Sequence, residues 1–342
     1  MSAAGALSLS LALPLALPSP LEPLDLRWLW GEEGPAVWVK RDDLIHPEVS
    51  GNKWRKLAGV FERGAGESGR APRLITFGGA RSNHLVAASA AAAAAGWGLT
   101  CVVRGEELAA RPLSPHLARC AALGARLAFV SRARFAALRE GGWALTPEER
   151  AAWAPPGGGG AVEVLPEGGA GAHVASGCAG LWAELEAQWG EEKRGEEKRG
   201  DERRGAALCG PPDELWLAAG TGATARGVAA AMPPGHPTRL VAVSAARGAR
   251  REEEALLAVA AARGVAAEGV DEERFGGFAR GLEAARAWAR RVEERAGVWV
   301  DPVYNAKLLA ELAARAPRLA GRRVVWVHSG GWRGEGGGAG DC

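Results

Sequence analysis

Lysine is scarce in this chain. It supplies six of the 42 basic residues, at positions 40, 53, 56, 193, 198 and 307, and arginine supplies the other 36. Where arginine serves as the general cation, a retained lysine stands out, because only lysine carries an amine that can lose its proton and attack a carbonyl. Charge of either sign is not in excess: 42 bases against 40 acids leave a formal +2, so no long-range field points to nucleic acid or an anionic membrane as partner. A small metabolite is expected instead. The five cysteines, Cys101, Cys120, Cys178, Cys209 and Cys342, are odd in number and without CxxC spacing. That pattern indicates neither a disulfide framework nor a zinc cluster and fits a reducing cytoplasm. No run reaches the ~18 apolar residues of a membrane helix. The stretch ALSLSLALPLALPSPLEPL has no Lys or Arg before Arg27 and is broken at Pro14, Pro18 and Pro20. A signal peptide needs a basic start and an unbroken apolar segment, so an untargeted, partly disordered extension is expected here.

What is present is a globular composition, 47% apolar and 24% charged over 342 residues, enough for one large or two ordinary domains. Lys193 and Lys198 fall in EEKRGEEKRGDERRG (191–205), a charged repeat with no apolar face that predicts a solvated insertion. Lys40 ends the strand-like VWVK ahead of Arg41-Asp42-Asp43 and reads as an ion-pair residue. Lys307 follows DPVYNA at a helix start and reads as surface. Lys53 and Lys56 remain, in VSGNKWRKL (49–57). Trp54, Leu57, Ala58 and Phe61 recur at i, i+3, i+4 and i+7, so a helix is expected with Ser50 or Asn52 as its cap. Lys53 then lies in the first turn, where the helix dipole disfavours an ammonium. Taken alone this also describes a surface lysine with its stem on the core; the unfavourable position, however, favours the unprotonated, nucleophilic amine.

Three segments pair a β run with a small-residue loop and a helix. LITF (74–77) leads into Gly78-Gly79-Ala80-Arg81-Ser82-Asn83-His84 and an alanine-rich helix that stops at Gly96 before LTCVV (99–103). This is a βαβ unit. Ser82 and Asn83 sit at its cap, where free N–H groups and a hydroxyl can bind a carboxylate, or serve as an ordinary N-cap. LWLAA (215–219) leads into Gly220-Thr221-Gly222-Ala223-Thr224 and a helix before RLVAVS (239–244). Amides, hydroxyls and a helix start make a phosphate cradle, although no Gly-Lys-Ser/Thr follows and GTGATARG departs from GxGxxG. VWV (298–300) reads as a strand entering Asp301-Pro302-Val303-Tyr304-Asn305 and KLLAELAARA, after which RRVVWV (322–327) ends in His328-Ser329-Gly330-Gly331. Tyr304 is the chain's one tyrosine. Ligands of open α/β sheets gather beyond the carboxyl ends of the strands, where these loops are expected.

A lysine and a phosphate loop in an α/β protein without a nicotinamide fingerprint suggest pyridoxal phosphate. The motifs VKRDDLIHPEVSGNKWRKL, FGGARSNH, LPEGG (165–169), AAGTGAT and DPVYNAK occur in the order seen in the 1-aminocyclopropane-1-carboxylate deaminase/D-cysteine desulfhydrase family, and the chain resembles that family over about residues 20–331. The resemblance implies a tryptophan synthase β-like, fold-type II enzyme. Two open parallel-sheet α/β domains are expected, with the cofactor in the cleft between them. The large cofactor-binding domain would comprise 1–54 and 166–342, with the charged insertion near 190–212, and the small domain 55–165. Lys53 is the implied Schiff-base residue and Asn52 a contact to the cofactor's ring oxygen. Ser82, Asn83 and His84 fall on the substrate-carboxylate turn, Ser82 also as a proton handler. Gly220, Thr221, Gly222, Ala223 and Thr224 fall on the phosphate loop, and Tyr304 on the catalytic, active-site tyrosine near the ring, while Lys56 is a structural lysine. A small amino-acid substrate and a homodimer are likewise implied, with no metal, nucleic acid or membrane partner.

The departures discriminate within the family. Deaminases resemble one another in a glutamate after the DPVY tyrosine and a leucine after the histidine of the last strand; here Asn305 and Ser329 stand at those positions as ring-nitrogen contacts. Desulfhydrases are similar in carrying small hydroxyl residues there. A second tyrosine's place, in RFGGFAR, falls on Phe278, which cannot transfer a proton. A D-cysteine desulfhydrase-like β-elimination is therefore expected. The alternatives are a 1-aminocyclopropane-1-carboxylate deaminase, a racemase or β-replacement enzyme, or a cofactor-binding protein without turnover.

Overall fold

A computed structural model describes residues 13–61, 72–156, 160–171, 173–191, 208, 210–245, 248–277 and 280–334. The strands follow in chain order as β1 (Leu21–Leu24), β2 (Ala36–Lys40), β3 (Arg73–Gly78), β4 (Gly98–Arg104), β5 (Arg126–Val130), β6 (Val162–Leu165), β7 (Glu214–Ala219), β8 (Arg239–Ser244), β9 (Ala267–Asp271) and β10 (Arg323–Val327). Contacts divide the chain into two compact units, one of Met1–Ala16, His46–Gly177 and Trp332–Cys342, the other of Leu17–Ile45 and Cys178–Gly331.

The first unit holds a four-stranded sheet in the order β5-β4-β3-β6, parallel throughout. A parallel strand is covered on both faces and therefore reads as a nearly continuous apolar run; in Leu74–Gly78 and Leu99–Val103 every residue is buried. The helix Asn83–Ala95 makes the crossover from β3 to β4, and its alanines allow close approach to the strands. It ends at Gly96, whose φ of 69° an L side chain would resist. The helix Asn52–Phe61 belongs to this unit. Its last residue, Phe61, lies 4.5 Å from Trp97 by ring centroids, and the Arg55 carbonyl takes up the space a Cβ on Gly177 would need. These contacts explain why residues 46–54 and 166–177 group with this sheet, whereas the sequence suggested boundaries at 54 and 165.

The second unit holds a six-stranded sheet in the order β1-β2-β10-β7-β8-β9. It is parallel except for β1, an antiparallel edge that tolerates Pro23 because no neighbour needs its missing N–H. Trp216 of β7 and Trp326 of β10 are fully buried against the helix Asn305–Arg315 and Val292 of the helix Leu282–Ala296. Both βαβ units expected around residues 78–84 and 220–224 are present, the second with the helix Ala223–Ala231 between β7 and β8.

Several expectations change. Residues 298–300 form no strand, because β10 already pairs with β2 and β7; Val298 and Val300 are buried in the core all the same. Ser19, within the proline-broken N-terminal stretch, is buried and donates its hydroxyl to Asp42 at 2.6 Å. Lys40 does form an ion pair, but with Glu184 at 2.7 Å. Lys307 is wholly buried and pairs with Glu272 at 2.9 Å, the reverse of the surface reading. Phe278 and most of the charged repeat lie outside the described residues.

Candidate active site

In the first unit, Gly51 turns the chain at φ 59° and the helix Asn52–Phe61 begins. Lys53 is thus in the first turn, as expected, and its Nζ donates to Asn52 Oδ1 at 2.6 Å. Lys56, one turn on, is buried and donates to the Gly168 carbonyl at 3.0 Å. Gly168 and Gly169 have φ of 71° and 74°, a left-handed pair that explains the double glycine of LPEGG. His173 bonds the Gly169 carbonyl at 3.1 Å. Lysine and histidine therefore hold the two carbonyls of one turn.

Beyond β3, Ser82 caps the helix Asn83–Ala95 and accepts the Leu85 N–H. Gly78 permits this: a Cβ there would lie 2.8 Å from Ser82 Oγ. His84 is buried, with Nε2 2.8 Å from Thr76 Oγ1, and Thr76 donates its one hydroxyl hydrogen to the Leu165 carbonyl. Nε2 must then carry the ring hydrogen, and Nδ1 is a bare acceptor, buried without a partner. Burial, reinforced by the charges of Lys53, Lys56 and His173, holds the ring well below its ordinary pKa and hence neutral. A bare lone pair repels a carboxylate, so His84 is suited to accept an N–H or O–H.

In the second unit, the loop after β7 turns at Gly222, φ 65°, into the helix Ala223–Ala231. Thr221 Oγ1 and Thr224 Oγ1 are buried and have no hydrogen-bond partner among the described residues. Buried hydroxyls without partners are rare because each forfeits its hydration. Two of them at a helix start, where N–H groups also lack partners, fit the phosphate of pyridoxal phosphate. Gly220 lies against Tyr304: a Cβ on it would stand 3.3 Å from Cε1 and 3.5 Å from the phenol oxygen. The sequence placed Tyr304 and this loop in one site, and within this unit they are neighbours.

Tyr304 precedes the helix Asn305–Arg315, whose first N–H groups are satisfied by Asp301, a residue not among the expected site residues. One Asp301 oxygen accepts from the Val303 and Tyr304 N–H groups at 3.0 and 2.7 Å; the other accepts from Asn305 N–H and Nδ2 at 3.0 and 2.6 Å. Asn305 Nδ2 also donates to Ser329 Oγ at 3.0 Å, and its Oδ1 accepts from Trp326 Nε1 and Ser329 N–H at 3.3 and 3.2 Å. The Asn305 amide is thus engaged by the protein on every side. Ser329, partly exposed, also donates its hydroxyl to Asn305 Oδ1 at 3.3 Å, so the two positions expected at the ring nitrogen are neutral groups paired with each other.

The model of the family described as pyridoxal-phosphate dependent enzyme matches residues 13–330. The bifunctional D-cysteine desulfhydrase/1-aminocyclopropane-1-carboxylate deaminase of Arabidopsis thaliana, mitochondrial by its name, is 25% identical over 92% of this chain and 76% of its own length. Nocardicin C-9' epimerase of Nocardia uniformis subsp. tsuyamanensis is 31% identical over 93% of this chain and 92% of its own length. Among solved structures, an ACC deaminase homologue superposes with a TM-score of 0.70 at 23% identity, covering 98% of this chain and 96% of that one. At that identity the likeness speaks for the fold.

Proposed function

We propose, on the premise that this chain belongs to the pyridoxal-phosphate dependent enzymes, that it is a lyase removing the β substituent of a small amino acid to leave a 2-oxo acid and ammonia, in the manner of a D-cysteine desulfhydrase. When bound, pyridoxal phosphate supplies an aldehyde to the lysine amine and a ring that stabilises negative charge at the substrate α carbon. Thr221, Thr224 and the N–H groups of the 220–224 loop would hold its phosphate, Asn52 its ring oxygen and Ser329 its ring nitrogen, with Tyr304 beside the ring.

The Lys53 amine takes the α proton, Ser82 and Asn83 hold the substrate carboxylate, and the electron pair left at Cα expels the β group. The remaining enamine hydrolyses. The observation that supports the reading is the pairing of Asn305 with Asp301, Trp326 and Ser329, which makes both groups proposed for the ring nitrogen neutral ones. A serine brings no negative charge to keep that nitrogen protonated. A neutral residue at that position would suit substrates with a good leaving group such as a thiolate. We include in the proposal a cytoplasmic homodimer. The buried, unbridged thiols of Cys101, Cys120 and Cys178 support the reducing compartment, and sedimentation tests the dimer.

One observation favours a second reading: the epimerase is 31% identical across nearly the whole chain. Epimerisation returns the α proton to the other face and releases no ammonia. The test is an absorbance spectrum of wild type and Lys53→Ala with pyridoxal phosphate, followed by D-cysteine, L-cysteine and 1-aminocyclopropane-1-carboxylate. A visible band lost in the variant, with sulfide, pyruvate and ammonia formed from D-cysteine, is expected. Inverted cysteine without ammonia would shift the assignment to epimerisation, and no band in the wild type would overturn the reading.

A further inference from the structure

The side chain of Asn83 is oriented by two groups from distant parts of the chain. Its Oδ1 lies 3.2 Å from His116 Nε2, at the start of the helix Pro115–Ala122, and 3.3 Å from the Trp332 backbone N–H. A backbone N–H can only donate, so the atom facing it is the amide oxygen. The ring nitrogen facing that same oxygen must therefore carry a hydrogen, which fixes the His116 tautomer as Nε2–H. His116 is itself held: it is buried, and its ring meets the Trp332 indole edge-on at 4.8 Å. Its other nitrogen is buried without a partner. Burial and the nearby Arg81 lower its pKa to about 4, so the ring is neutral and the tautomer does not change through the ordinary working range.

With both of these donors on Oδ1, the Asn83 amide cannot flip without setting two donors against its own N–H groups. Nδ2 and its hydrogens remain for an acceptor outside this triad. A carboxylate is such an acceptor, and Asn83 stands next to the Ser82 cap on the turn to which the proposed function assigns the substrate carboxylate.

We propose that His116 is a positioning residue for substrate recognition: together with the Trp332 backbone it holds Asn83 so that Nδ2 is presented to the carboxylate of the amino acid. This rests on the pyridoxal-phosphate lyase reading. His116 touches no reacting atom; it acts through Asn83. It selects for an anion at the α-carboxyl position and is indifferent to the β substituent.

The test compares the holoenzymes of wild type, His116→Phe and His116→Gln. Phenylalanine keeps the ring beside Trp332 and removes the donor; glutamine restores an N–H that can reach Oδ1. Each is titrated with glycine and with glycinamide, achiral probes that differ in the carboxylate, while the cofactor's visible band is followed. The expected result is a half-saturating glycine concentration raised about tenfold in His116→Phe, near that of wild type in His116→Gln, and an unchanged response to glycinamide in all three. A band of full height in His116→Phe shows that folding and cofactor loading are intact. Glycine binding unaffected by His116→Phe, or weakened equally for glycine and glycinamide, overturns the inference and leaves the lyase reading standing. A wild type with no visible band overturns both.

Discussion

Thr221 and Thr224 each bury a hydroxyl that has no partner among the described residues. Such a group forfeits its hydration, a loss of about 1–3 kcal/mol, and keeps a donor ready for an incoming acceptor. Valine has the same shape without the hydroxyl. Thr224→Val, and Thr221→Val beside it, should therefore leave the cofactor-free protein as stable as wild type or more so, by up to about 1 kcal/mol. The same variants should weaken pyridoxal phosphate binding about tenfold each. Thermal unfolding of the cofactor-free protein and fluorescence titration with the cofactor read the two effects separately. A variant destabilised by the full loss of a hydrogen bond, with cofactor affinity unchanged, would show that these hydroxyls serve the fold instead. In the sequence Lys53 stands out through the scarcity of lysine. The role of His116 was not readable, because its partner Asn83 lies far away in the chain; Asp301 bonds its near neighbours Val303, Tyr304 and Asn305, a local capping pattern that its place before a helix could have signalled.

At the scale of an element, the helix Asn305–Arg315 is tied to the segment after β9 by Lys307. Its ammonium donates to Glu272 at 2.9 Å and to the Gly277 carbonyl at 2.6 Å, and Lys307 and Glu272 are both buried. Glu272 in turn accepts the N–H groups of Phe275 and Gly277. Burial raises the Glu272 pKa, but these N–H groups and Lys307 outweigh it and hold it below the ordinary glutamate value. Lys307→Met leaves that carboxylate buried with no counter-charge, and a destabilisation of about 3–5 kcal/mol is expected in urea unfolding. Lys307→Met with Glu272→Gln should recover part of the loss, because a neutral amide is cheaper to bury than an unpaired charge. If both proteins unfold at the same urea concentration, the pair is not coupled. The sequence reading took Lys307 for a surface lysine because helix periodicity reports only its own helix; what covers position 307 arrives from residues 272–277. The strand expected at 298–300 failed for the same reason, its apolar pattern being that of core packing without a free sheet edge to join.

Across the whole molecule the parallel order of both sheets was legible, since strand, small-residue loop and helix alternate with buried, unbroken apolar strands. The grouping of the chain into units was less so, because residues 46–61 and 332–334 join by packing the unit that β3–β6 build. One property belongs to the fold as a whole. Of six histidines, four are pushed below the ordinary value. Burial is the leading cause for His84, His116, His46 and His236, the charges of Lys53, Lys56, His173 and Arg81 add to it for His84 and His116, and Glu48 and Glu186 oppose it for His46 and His236. A histidine that stays neutral when folded but protonates when unfolded makes the unfolded state bind more protons, so stability rises with pH across that window. The contribution is complete above the unfolded value of 6.5 and is lost as the pH falls toward the folded one. For His116 that window runs from 6.5 to about 4, a loss on the order of 2–3 kcal/mol. Depressed carboxylates such as Glu268 and Glu272 add their own loss below the ordinary glutamate range of about 4.3. Urea unfolding of the cofactor-free protein at pH 7, 6 and 5 should thus show stability falling well before carboxylates titrate, with proton uptake on unfolding. His116→Phe should reduce that uptake by up to one proton. A stability flat between pH 7 and 5 would mean that these rings protonate in the folded protein as readily as in the unfolded chain; His116 would then gain a hydrogen on Nδ1 at low pH while its Nε2–H stayed on Asn83.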